Sequence, residues 1–208
     1  GEDIVENAQK GDRVTVVLDK TPFYAESGGQ VGDTGVIRGP QGSVKVEDCK
    51  KTADGKYLHI GVVDEGVVEK GNSVKAEINL DRRLSTAKNH TTTHLLQKTL
   101  QNVLGDHVSQ AGSLVEPDRL RFDFTHFSPI DSEELEKIES EINEKIMQSI
   151  DVRAEEMSID EAKKRGAMAL FGEKYGDVVR VVTIGDYSME LCGGTHLKST
   201  SQAGLVKI

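Results

Sequence analysis

The sequence predicts an α+β protein, with a small N-terminal β-barrel over residues 1–80 followed by an α+β domain over 81–208. Three observations carry this. The first 80 residues fall into short alternating runs rich in β-branched side chains. From Asp81 the apolar period lengthens to that of a helix. Beyond that, helical stripes and paired strands follow one another without an internal repeat or low-complexity tract.

In the first region the strand runs are residues 14–18, 35–37, 44–46, 58–63 and 74–78. Turn chemistry separates them at 39–42, 53–55 and 70–73, where Gly, Pro, Asn and Asp gather. Strands this short and this evenly spaced suit a small barrel. In the second region Leu84, Ala87, Thr91, Leu95 and Val103 mark one helical face, with Gly105 as its stop. Residues 108–115 and 120–124 then alternate like two strands. Asp131 is placed to cap a second helix with the stripe Leu135, Ile138, Ile142 and Ile146. Ser158 and Glu161 have capping-box spacing for a third helix through Ala162. Residues 178–184 and 187–191 read as paired strands joined at Gly185-Asp186.

Composition narrows the class. Hydrophobic residues at 36% and charged residues at 29% suit a soluble globular chain of 208 residues, long enough for one large domain or two small ones. No apolar run approaches bilayer length and no leader opens the chain, so a cytoplasmic location is the expectation. The chain begins at Gly1 and is expected to be a piece of a longer polypeptide. Two cysteines allow one disulfide at most, too few for a secreted scaffold. A net charge of -9 argues against gripping nucleic acid by charge alone.

One constellation carries chemistry. His90 and His94 stand four residues apart in the first helix, so both imidazoles share a face one turn apart. Cys192-Gly193-Gly194-Thr195-His196 repeats that spacing, with glycines that let the backbone bend. A lone His-x3-His is common and weak. Two such pairs, using three of six histidines and one of two cysteines, are stronger. Three imidazoles and one thiolate suit zinc, and the long stretch between the pairs excludes a zinc finger.

His90-Thr-Thr-Thr-His94-Leu-Leu and Glu190-Leu-Cys192-Gly-Gly-Thr-His196 resemble the paired zinc motifs of the alanyl-tRNA synthetase editing domain. Thr21–Gln30 with Asp33-Thr34-Gly35 is similar to the glycine-rich signature of the preceding barrel. His107–Leu114 and Ala169–Gly176 also match the family pattern, so the resemblance runs along nearly the whole chain in order. It implies that 81–208 is a zinc-binding editing domain and that an aminoacylation domain, with its ATP and alanine sites, would precede Gly1. Freestanding relatives that edit in trans share the motifs.

The implied partner is the acceptor end of tRNA(Ala) carrying serine or glycine, and the implied reaction is hydrolysis of that ester. A pocket built for alanine rejects glycine only through one missing methyl, about 1–3 kcal/mol, and excludes serine's extra hydroxyl poorly. Four protein ligands usually close a zinc site. That leaves three options here: one ligand is weak, the ion becomes five-coordinate, or it only positions substrate. The resemblance makes Gln110 the catalytic candidate and Ser109 and Thr195 weaker hydrogen-bonding candidates.

Other residues read more plainly. Gly28-Gly29-Gln30 reads as a glycine turn near the pocket and not as a catalytic motif, although the same tripeptide is catalytic in peptide release factors. His59 and His126 read as surface residues, His107 as a neighbour of Gln110. Glu133 to Lys145 reads as a solvated helix face. Arg82, Arg83 and Lys88, or Lys163, Lys164 and Arg165, are candidates for phosphate. The rival readings are a threonyl-tRNA synthetase-like editing domain and a non-catalytic, zinc-stabilised RNA-binding module.

Overall fold

The structure, a computed structural model, describes residues 3–168 and 176–208. It is a mixed fold of three sheets and three α-helices among those residues. The chain forms two compact units, one of Gly1–Ser27 with Val31–Arg83 and one of Gly28–Gln30 with Leu84–Ile208.

The first unit is one antiparallel sheet. Its strands are β1 (Asn7–Gln9), β2 (Arg13–Val16), β3 (Gly35–Arg38), β4 (Gly42–Lys51), β5 (Tyr57–Glu69) and β6 (Lys75–Ile78). The order is β1-β5-β4-β3-β6, with β2 also on β5. Among the described residues no backbone ladder joins β6 back to β1 or β2, so strand pairing gives an open path rather than a closed ring. Ile37, Val44, Val46, Cys49 and Val63 turn inward from the strands and, with Phe23 from the segment between β2 and β3, fill its core.

Two residues of this unit correct the sequence reading. His59 is fully buried, not at the surface. Its Nδ1 donates to the Val16 carbonyl at 2.8 Å, and its Nε2 lies 2.7 Å from Thr21 Oγ1. Edge-on packing against Phe23, with ring centroids 5.1 Å apart, completes its surroundings. Strand alternation places every second residue inside, and an imidazole with both nitrogens satisfied can take such a place. Arg83 is not a free phosphate ligand, because its guanidinium pairs with the buried carboxylate of Asp33 and donates to the Pro22 carbonyl at 2.9 Å. Asp33 in turn accepts from the Tyr24 N–H at 2.7 Å. Part of the glycine-rich signature is thus a structural brace.

Helix α1 (Leu80–Leu104) starts where Asn79 Oδ1 accepts from the Arg82 N–H at 3.1 Å. Its buried face is polar: Thr86, His90, Thr91, Thr92, Thr93, His94, Gln97 and Thr99 lie inside with Ala87, Leu95 and Leu100. Leu84, expected on that face, is exposed. Strands β7 (Gln110–Val115) and β8 (Leu120–Phe124) form a hairpin, and α2 (Ser132–Met147) follows. Asp131 accepts from the Glu134 N–H at 2.8 Å while Glu134 accepts from the Asp131 N–H at 3.1 Å, a complete capping box. Ile138, Ile142 and Ile146 pack inward, whereas Leu135 at the first turn is exposed.

Strands β9 (Val152–Ser158), β10 (Val178–Ile184) and β11 (Ser188–Leu191) form a sheet ordered β11-β10-β9. The short α3 (Ile159–Lys164) is capped by Ser158, whose hydroxyl accepts from the Glu161 N–H at 3.2 Å. Strand β9 escapes a sequence reading because its Arg-Ala-Glu-Glu core carries no apolar alternation. The motif at Ala169–Gly176 lies, except for Gly176, outside the described residues.

Candidate metal centre

Helix α1 presents His90 and His94 on one face, with ring centroids 5.4 Å apart. The loop after β11 brings His196 to 4.4 Å from His90 and 4.8 Å from His94, measured between centroids. Cys192 Sγ lies 3.4 Å from His90 Nε2 and 3.3 Å from His196 Nε2. One donor atom from each of the four residues falls within 4.8 Å of the others. The two pairs, distant in sequence, therefore converge.

The remaining imidazole nitrogens are held from outside the cluster. His90 Nδ1 lies 2.6 Å from Gln30 Oε1. His196 Nδ1 lies 3.3 Å from Thr91 Oγ1, which also accepts from the Leu197 N–H at 3.1 Å. His94 Nδ1 lies 2.9 Å from Glu190 Oε2, though off the axis of an aligned hydrogen bond. Glu190 Oε1 is fixed by the Ser188 hydroxyl at 2.9 Å. Imidazoles that bind metal are usually oriented in this way, with one nitrogen held by a carboxylate, amide or hydroxyl.

Burial and hydrogen bonding shift these groups together. Burial alone would raise the Cys192 thiol, but its contacts with His196, His90 and His94 bring it well below its usual range, toward thiolate. Burial pushes His196 down to about 3, so its imidazole is neutral. Burial also works against a charged His94, yet the Glu190 carboxylate and Cys192 outweigh it and raise that group to about 10. A cluster that keeps a thiolate, a neutral imidazole and one retained proton has the charge pattern a cation would replace, with loss of that proton.

The geometry fits a metal ion. A tetrahedral zinc with usual bond lengths holds a sulfur and a nitrogen ligand about 3.5 Å apart. The two observed Sγ–Nε2 separations, 3.4 and 3.3 Å, are close to this. The loop is also built to size. A Cβ at Gly194 would overlap the His90 ring and Gln30 Oε1, whereas Gly193 faces open space. Arg180 on β10 ties the same loop down, donating from one terminal nitrogen to the carbonyls of Cys192 at 2.8 Å and Gly194 at 2.7 Å.

Thr195 sits beside the cluster, with its N–H and hydroxyl each 2.9 Å from the Gln30 amide. Gln110 opens β7 opposite Phe124, at a register shift, and among the described residues no hydrogen bond joins it to the four-residue group. Ser109 is exposed, its N–H 3.3 Å from Thr125 Oγ1. His107, also exposed, meets His126 at 2.9 Å and stacks on Phe127 with centroids 4.4 Å apart. Arg165 pairs with Glu161 and Glu155. Both cysteines are free thiols, so the chain holds no disulfide. Cys49 is fully buried, and burial pushes its thiol up to about 11. Gln30, Thr91, Glu190 and Arg180 are the contributors that sequence reasoning left without a role. Three of them stand inside quoted motifs, which was the available signal.

No helix among the described residues is long and apolar enough to cross a membrane. Residues 1–82 match the family model described as tRNA synthetases class II (A). Residues 179–208, which include Cys192 and His196, match the threonyl and alanyl tRNA synthetase second additional domain. Among similar proteins is an alanine--tRNA ligase of Acetivibrio thermocellus, 69% identical over 205 residues, 99% of this chain and 23% of that one. Another, from Thermoanaerobacter pseudethanolicus, is 56% identical over 207 residues, 100% of this chain and 24% of the relative. A third, from Bacillus subtilis, is 55% identical over 205 residues, again 99% and 23%. The chain thus spans about a quarter of the length of the curated relatives it matches. With both family models in order and such identity along its whole length, the chain belongs to the alanyl-tRNA synthetase family.

Proposed function

We propose that residues 81–208 form an editing site that hydrolyses the ester of tRNA(Ala) mischarged with serine or glycine. The convergence of His90, His94, Cys192 and His196 into one group, with both helix histidines buried, carries this reading. In it the four residues bind zinc, residues 1–80 form the accompanying barrel, left open in its strand pairing, and the reaction takes place in the cytoplasm.

Zinc, when bound, would supply Lewis acidity toward the ester or water. The protein supplies the rest. Gln30, Thr91 and Glu190 hold the imidazoles so that they do not reorganise when substrate arrives. Thr195, adjoining the cluster, is the nearest of the three proposed pocket residues to a hydrogen-bonding role at the substrate. Gln110 and Ser109 complete the proposed pocket. A site that hydrogen-bonds the serine hydroxyl spares alanine, which would leave a buried polar group unpaired. That logic serves serine better than glycine.

A second reading has one observation in its favour. Four protein ligands are the usual complement of a closed, structural zinc site. The chain would then be a zinc-stabilised RNA-binding module. Deacylation of seryl-tRNA(Ala) with and without a chelator separates the two. Editing predicts hydrolysis that the chelator abolishes and zinc restores. Intact seryl-tRNA(Ala) in the presence of zinc-loaded, folded protein would overturn it. Faster hydrolysis of seryl-tRNA(Thr) would favour the threonyl-type alternative.

A further inference from the structure

Gln30 is remote in sequence from all four cluster residues, yet it belongs structurally to their unit. The two glycines before it explain how it gets there. Gly28 and Gly29 both adopt positive φ, 56° and 80°, which favour residues without a Cβ. A Cβ at Gly29 would also overlap the Ser113 hydroxyl, and the Gly29 carbonyl accepts from the Val115 N–H at 2.8 Å. The turn is thus pinned to β7, and Gln30 projects inward, 1% exposed.

Its hydrogen bonds determine one another. The Thr195 backbone N–H can only donate, so the Gln30 atom 2.9 Å from it must be the amide oxygen. That same oxygen lies 2.6 Å from His90 Nδ1. Oxygen accepts, so His90 must carry its proton on Nδ1, and its Nε2 presents a lone pair toward Cys192 Sγ. The other end of the amide, Nε2, donates to Thr195 Oγ1 at 2.9 Å. Having accepted there, the Thr195 hydroxyl keeps its own proton available for a different acceptor.

We propose that Gln30 is a positioning residue of this site. One buried amide selects the His90 tautomer that can ligate through Nε2 and turns Thr195 into a hydrogen-bond donor for the acyl substrate. The His90 arm requires only that the cluster bind metal, whereas the Thr195 arm rests on the editing reading. The glycine turn is then a delivery device for one amide rather than a catalytic motif.

Three substitutions test it, with zinc as the probe. Gln30→Ala removes both arms. Zinc affinity, measured by chelator competition, should fall about 10- to 100-fold, as for other outer partners of metal ligands. Long-range proton–nitrogen NMR of zinc-free protein should change His90 from a single Nδ1–H tautomer to a mixture. Gln30→Met fills the same space without hydrogen bonds and should give the same two results if the alanine variant does not accumulate. Gln30→Glu keeps an acceptor for His90 and the Thr195 N–H but cannot donate to Thr195 Oγ1, so that hydroxyl must donate to it. Zinc affinity should then stay close to wild type while hydrolysis of seryl-tRNA(Ala) falls roughly 10-fold, the loss of about one strong hydrogen bond. Unchanged zinc affinity and a single His90 tautomer in the alanine and methionine variants would overturn the His90 arm. Wild-type hydrolysis by the glutamate variant would overturn the Thr195 arm. If wild type does not hydrolyse seryl-tRNA(Ala) while Gln30→Ala still weakens zinc, the editing reading fails and the His90 arm is supported.

Discussion

Each unit buries histidine, and the two settings differ in what becomes of Nε2. In the first unit His59 donates from Nδ1 to the Val16 carbonyl. The Thr21 hydroxyl accepts from the Phe23 N–H at 3.1 Å and so gives its proton to His59 Nε2. Both nitrogens are used, and the ring is a satisfied part of an apolar core. In the second unit His90 has the same tautomer, set by an acceptor at Nδ1, but its Nε2 faces a thiol and another imidazole. His196 and His94 are likewise contacted at Nδ1, by Thr91 and Glu190. Burial therefore does not mark a site. What marks one is a set of buried nitrogens that the protein orients but leaves without a donor of its own.

The largest effect that this contrast predicts is at Cys192. Cys192→Ala removes the cluster's thiolate and should lower zinc affinity by more than the about 10- to 100-fold typical of an outer partner. Elemental analysis after dialysis should find about one zinc per wild-type chain and little in the variant. Full occupancy in the variant would place the metal elsewhere. The paired glycines sharpen the point. Gly194→Ala forces a methyl into the His90 ring and the Gln30 amide, so zinc should weaken about 10-fold or more. Gly193→Ala meets no neighbour within 4 Å and should bind zinc like wild type. Equal losses in both would mean that loop flexibility, rather than the space beside His90, requires the glycines.

The same contrast explains what could be read in advance. The four donors are legible because metal ligands from one helix face or one tight loop obey spacing rules. Their outer partners obey none: Gln30 and Glu190 reach the cluster from a distant turn and a neighbouring strand. Helix α1 was legible as a helix, and Ala87, Thr91 and Leu95 of its expected stripe are buried, but the breadth of the buried face was not legible, because threonines, histidines and Gln97 share it with the leucines. Leu80 and Leu84, the leucines near its start, lie outside. His59 was misread for the related reason that a strand can hide a polar ring if two partners wait for it, and neither Thr21 nor Val16 announces that in sequence. Strand β1 is only three polar or small residues, Asn7-Ala8-Gln9, and exists through pairing with β5.

A smaller effect separates pocket from metal. Gln110 has no hydrogen bond to the cluster among the described residues, so Gln110→Ala should leave zinc content and unfolding midpoint unchanged. If its amide holds water or the acyl group, hydrolysis of seryl-tRNA(Ala) should slow by one hydrogen bond, about 0.5–1.5 kcal/mol or roughly 2- to 13-fold. A variant that loses zinc, or that hydrolyses at the wild-type rate, would remove Gln110 from the pocket.

The smallest effect tests the other side of the comparison, whether His59 is held neutral by its core. Burial disfavours the imidazolium and lowers the group from its ordinary value near 6.5, against a weaker upward pull from the Val16 carbonyl. Above about pH 6.5 both folded and unfolded chains carry His59 neutral, and it contributes no pH dependence. Below that value the unfolded chain takes up a proton that the folded one resists, so stability falls as pH falls toward the lowered folded value. Glu77 and Asp54, whose carboxyls are lowered by Lys75 and Thr52 respectively, act in the same direction but only below the ordinary carboxylate range. The interval between pH 6.5 and 5 therefore belongs to histidine. His59→Gln can still donate to Val16 and accept from Thr21 without titrating, so it isolates the contribution. Urea unfolding at pH 7.5 and 5.5 should show wild type losing more stability than the variant between the two. Cluster histidines are common to both proteins and cancel in that difference. Equal losses would mean that His59 titrates alike in both states, and the ring would then not be the sealed core residue its two hydrogen bonds make it.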